Sequence, residues 1–151
     1  MNPAFIKQTQ HYSIKLLKSF SVGNKSSLQY LSQDTCSEAS RLIGCWLINK
    51  YPQTSAMILR GDKVMGSNKS HDVLVVKYND FFYLLDPTVW QFFPRKKSIF
   101  VGVCESIPSC LEFLHAYYKG RWTISETISQ RNCSARNIKA LKATIENTLV
   151  S

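Results

Sequence analysis

The chain has 151 residues, 44% of them hydrophobic and 19% charged, a composition that excludes a disordered or fibrous protein and calls for a buried core. At that length one domain over residues 1–151 is expected, able to bury roughly two thirds of its unfolded surface without staples. The net charge of +9 admits nucleic acid, an anionic membrane or an acidic protein as partner. Yet the basic residues are scattered, apart from a run at Arg95, Lys96 and Lys97 and a looser set in the tail, and no nucleic-acid motif or zinc-finger spacing accompanies them. Nucleic acid is therefore not the expected partner.

From Phe5 to Phe20 the apolar positions fit helical spacing, and the turn residues of SVGNKSS end the pattern. Residues 1–26 read as an N-terminal helix and loop. Lysines interrupt this stretch, so it lacks the apolar block of a signal peptide, and no later stretch is apolar for the roughly 18 residues a membrane span needs. A second helix is expected to open at Thr35, where T-x-x-E (Thr35, Glu38) precedes the apolar positions Ala39, Leu42, Ile43 and Trp46. Tyr51-Pro52 would stop it.

SAMILRGDKVMG reads as a strand, a turn at Gly61 and Asp62, and a short second strand. HDVLVVKYNDFFYLLDPTVW then contains two β-rich runs, Val73 to Tyr78 and Phe81 to Leu85, joined as an antiparallel hairpin across Asn79 and Asp80. SIFVGVC predicts another strand. A helix is expected from near Pro108 to Gly120, and an amphipathic one from Ser134 to Val150, with Ile138, Leu141, Ile145 and Leu149 on its inner face. The resulting layout is α+β: N-terminal helices, an antiparallel sheet within a core of residues 27–120, and a helical segment over 121–151.

Five cysteines cannot all pair, and none of their spacings is a C-x-x-C of the zinc-site kind. No disulfide is expected in a core of this size. Cys36 falls in the first turn of its helix, where unpaired N–H groups and the macrodipole favour an anion by about 0.3 to 1 kcal/mol, and where thiols are typically acidified. Cys45, beside Trp46, reads as core.

A two-residue loop at Asn79 and Asp80 would place Val73 opposite Asp86, so that His71 shares a face with Asp86 as its diagonal neighbour. A four-residue loop preserves that face; a three-residue loop separates the pair. An imidazole beside a carboxylate is held in one tautomer and made more basic, which suits the general base of a nucleophile. Cys36, His71 and Asp86 thus read as nucleophile, base and orienter. His115 reads as packing or surface, His11 as exposed, and Trp90 as core or the wall of a substrate groove.

The order of a cysteine opening a helix, His in HDVLVV and Asp in YLLDPT resembles the papain-like and transglutaminase-like cysteine hydrolases. The likeness runs from Cys36 to about Trp90. It is strongest to bacterial papain-fold toxins and effectors, several of which deamidate glutamine in a target protein, and next to peptidases that remove double-glycine leaders. The resemblance implies a papain-like fold, with the Cys36 helix packed on an antiparallel sheet that carries His71 and Asp86, and a thiol hydrolase of a protein substrate needing no metal or organic cofactor. It further implies a location in the cytoplasm or in a target cell, and a possible restraining or immunity partner. Two departures stand out. Position 30, near where relatives carry an oxyanion-hole glutamine, is Tyr30, flanked by Gln29 and Gln33; either glutamine, or backbone N–H groups near Cys36, could serve. The Cys-Gly of many leader peptidases is here Cys36-Ser37. The readings from other classes are a basic adaptor or polyanion-binding domain, and a member of the fold that binds without catalysis.

Overall fold

The computed structural model describes residues 2–150. Its helices are α1 (Pro3–Lys18), α2 (Leu28–Leu31), α3 (Cys36–Lys50), α4 (Ile107–Tyr118) and α5 (Ala135–Val150), and its strands β1 (Ser55–Asp62), β2 (His71–Tyr78), β3 (Phe81–Asp86), β4 (Phe100–Cys104) and β5 (Arg121–Ile128). The strands form one antiparallel sheet of order β4-β3-β2-β1-β5. The α+β layout expected from the sequence is present.

The central position of β2 follows from its composition. His71 to Val76 are all buried, which a strand tolerates only when both faces of the sheet are covered. Leu74 and Val76 join α1, α3 and α5 in the larger core with Phe5, Leu17, Ile43 and Ile145, while Val73 and Val75 join Cys110, Leu114 and Tyr118 of α4 on the other face. Gly44 brings α3 close to the sheet, since a Cβ there would lie 2.7 Å from the Ile128 side chain.

The hairpin has the expected two-residue loop, with Tyr78 paired to Phe81 and Leu74 to Leu85, and Asn79 takes the left-handed conformation that such turns demand. Other expectations need correction. Residues 121–151 are not wholly helical, because Arg121–Ile128 forms the edge strand β5, whose largely exposed side chains hide its place in the sheet. Gly61 and Asp62 belong to β1 instead of forming a turn, and the expected short second strand is a 3-10 turn, Val64–Gly66, in which Met65 adopts positive φ, as does Lys63 just before it.

The cysteine reading changes too. Cys45 is buried but bonded to Cys133, 88 positions away, where the turn before α5 packs on α3 and brings the two Cα atoms to 5.2 Å, within disulfide range. Cys36, Cys104 and Cys110 are the free thiols. Among the described residues no helix is long and apolar enough to cross a membrane.

Candidate functional site

Cys36 is the first residue of α3, as the sequence predicts, but the helix is not capped as expected. The Thr35 hydroxyl turns back to donate to the Leu31 carbonyl at 2.9 Å and makes no cap bond. Among the described residues no side-chain cap bond is made by the N-cap Thr35, so the positive end of α3 is left to the sulfur and to whatever approaches it. Of the three free thiols Cys36 alone is partly exposed; Cys104 and Cys110 are buried, and burial pushes the Cys110 thiol further up.

His71 and Asp86 come together from neighbouring strands. His71 Nε2 lies 2.8 Å from Asp86 Oδ2, and both residues have no exposed surface. Oδ1 accepts from the Thr88 N–H at 3.1 Å and from the Thr88 hydroxyl at 3.4 Å, and Oδ2 also accepts a hydrogen bond from the Tyr118 hydroxyl. Every neighbour of this carboxylate thus serves as a donor, which is what keeps a buried anion tolerable.

Burial alone would drive the imidazole pKa down. The Asp86 charge and hydrogen bond, reinforced by hydrogen bonding and charge from Cys36, outweigh it and hold His71 at about 10. The remaining ring nitrogen, Nδ1, is buried and makes no hydrogen bond among the described residues; catalytic hydrogen bonds often form or tighten only when substrate is bound. The Tyr118 hydroxyl is held well above its ordinary pKa by burial, then by the Asp86 charge, and so remains a neutral donor.

An aromatic shell fixes the imidazole. Phe92 meets it edge-on at 4.9 Å between centroids, with Tyr118 at 5.5 Å and Trp122 at 6.4 Å. Trp122 reaches that position because Gly61, paired with His71 across β1 and β2, has no side chain; a Cβ there would sit 2.5 Å from the indole. Trp90 lines no groove: it is 1% exposed and its Nε1 donates to the Lys96 carbonyl. His115 lies at the surface, bonded through Nδ1 to the Gly120 carbonyl, and His11 is exposed.

The structure pairs His71 with Asp86 at one end of the sheet, against α4, while Cys36 opens α3 in the other layer, near enough to act on the imidazole. Tyr118, Thr88, Phe92 and Trp122 were not singled out by the sequence. Only the Asp-Pro-Thr step hinted at Thr88, as a turn in which an Asp side chain accepts from the backbone two residues on. Comparison with protein-family models, with curated proteins and with solved structures finds no match to this chain.

Proposed function

We propose that the protein is a cysteine-dependent hydrolase of papain-like type that attacks a carboxamide or peptide carbonyl of a protein substrate, most simply as a glutamine deamidase of the bacterial effector or toxin kind. The observation that carries this reading is the convergence on one imidazole of a buried carboxylate through Nε2 and of a partly exposed helix-start cysteine. His71 takes the Cys36 proton and holds it as an imidazolium steadied by Asp86. The thiolate adds to the carbonyl carbon, the imidazolium protonates the departing nitrogen, and water, deprotonated by the freed imidazole, hydrolyses the acyl-enzyme. Gln33 directs its Nε2 to the Gln29 carbonyl at 3.2 Å, so the uncapped N–H groups of α3 are the donors better disposed to the oxyanion.

Two measurements test this. Iodoacetamide at neutral pH is expected to label Cys36 well ahead of Cys104 and Cys110; equal labelling overturns the reading. Incubation with a target-cell extract is then expected to release ammonia and raise a target mass by about one unit, in a manner lost with Cys36→Ala. Cleaved chains without ammonia assign the peptidase alternative.

The non-catalytic adaptor draws on a different region. A groove of about 430 Å³ beside α1 is lined by Lys7, His11, Lys15 and Lys50 around Tyr12 and Trp46, with no carboxylate among its lining residues. That reading expects salt-sensitive binding to acidic partners or nucleic acid that survives Cys36→Ala.

A further inference from the structure

On the α3 side of the sheet, Arg60 and Asp72 are paired across β1 and β2, one step from the Gly61–His71 pair. The guanidinium grips the carboxylate along one edge, Nε to Oδ1 at 2.8 Å and Nη2 to Oδ2 at 3.1 Å. Asp72 is 2% exposed and also pairs with Arg41 at 3.3 Å, and Arg41 in turn pairs with Glu126. The charges therefore alternate along a line, and Arg60 is its positive end. A single cation would satisfy Asp72. Glu126 takes up the second guanidinium, so charge is balanced along the network, but the Arg60 side chain is 45% exposed with Nη1 outside both bonds to Asp72, and the Asp62 carboxylate acts on it as well.

Asp72 links Arg60 to the start of α3, because its other partner, Arg41, also donates to the Ser37 carbonyl at 2.9 Å, one residue from Cys36, whose charge acts on Arg60. A guanidinium locked along one edge presents the other in a fixed direction, so a planar anion meets it at little cost in ordering. We propose that Arg60 is a carboxylate receptor beside Cys36, selecting protein substrates that carry a carboxylate next to the attacked carboxamide. The receptor deepens the catalytic reading of Cys36 and rests on it.

The test compares alkylation of Cys36 by anionic iodoacetate and neutral iodoacetamide, followed by peptide mass spectrometry. Their ratio cancels any change in the reactivity of the thiol itself. In Arg60→Gln the iodoacetate-to-iodoacetamide ratio is expected to fall about two- to fivefold, the range of a partly exposed ion pair; an unchanged ratio with a reactive Cys36 overturns the receptor alone. Slow labelling of Cys36 by both reagents in the parent protein removes the catalytic reading and the receptor with it.

If Arg60→Gln does not fold, Arg60→Lys, which keeps a cation for Asp72 but no outward nitrogen, is expected to lower the ratio in the same direction. Protection of the parent from iodoacetamide identifies the source of the carboxylate. An amidated glutamine–glutamate peptide protecting more than amidated glutamine–glutamine assigns an acidic side chain. Stronger protection by the free-acid glutamine–glutamine peptide assigns a chain terminus. No difference among the three overturns the proposal.

Discussion

His71 and Asp72 are consecutive residues, both buried, on opposite faces of one strand, and they solve the problem of a buried charge in different ways. Asp72 is paired with two guanidiniums that keep their charge at any ordinary pH and remain partly in water. His71 is paired with a carboxylate that has no exposure, and it can give up its charge by passing on a proton. The first arrangement provides a fixed field. The second is a proton reservoir, and its imidazole is a group on which the partly exposed Cys36 acts.

The largest expected effect bears on what the thiol is for. Cys36→Ala should lower turnover by on the order of 10⁴-fold or more while leaving the melting temperature within a few degrees; retained turnover would break the assignment of chemistry to this side of the strand. Next, Asp86→Ala should destabilise by about 3 to 5 kcal/mol in urea titration because it strips a fully buried pair. Asp72→Asn should cost about 1.5 to 3 kcal/mol, since water can still reach the guanidiniums it abandons. Equal costs would erase the contrast between the two faces. Reducing the Cys45–Cys133 bond should cost about 2 to 5 kcal/mol of stability while leaving both networks intact.

Smaller still, Tyr118→Phe removes one donor from Asp86, at about 1 to 3 kcal/mol. The pH profile separates the faces by sign. Because the folded pKa of His71 is raised from 6.5 to about 10, its contribution is complete below pH 6.5 and is lost as pH climbs through about 10. The Asp72 carboxyl is held below its ordinary value of 3.8, as its bonds to Arg60 and Arg41 overcome burial, so its contribution is present above that pH and is lost on acidification. In denaturation followed against pH, His71→Gln should flatten the alkaline limb and Asp72→Asn the acid limb.

How much of this was legible in the sequence depended on how local each constraint is. The hairpin register was readable because Asn79 and Asp80 fix the turn, and two-residue periodicity then carries His71 and Asp86 to one face. The start of α3 was readable, but not the way Thr35 turns away from it: a choice between capping and bonding to Leu31 depends on where α2 lies. Tyr118 and Asp86 are 32 positions apart, and Cys45 and Cys133 are 88 apart. Those contacts exist only because α4 and α5 dock as they do, and no spacing rule encodes that. The edge strand β5 failed for a related reason: with one flank unpaired and most side chains in water, RWTISETI lacks the apolar run that marks β2.

Whether sulfur, imidazole and carboxylate act as one unit is decided by an NMR titration of the His71 ring in the intact protein and in Cys36→Ala. The imidazolium is expected to persist past pH 8 and lose its proton near 10 in the parent, and at lower pH once the sulfur is gone. A midpoint near 6.5 in both proteins, indifferent to Cys36, would contradict it.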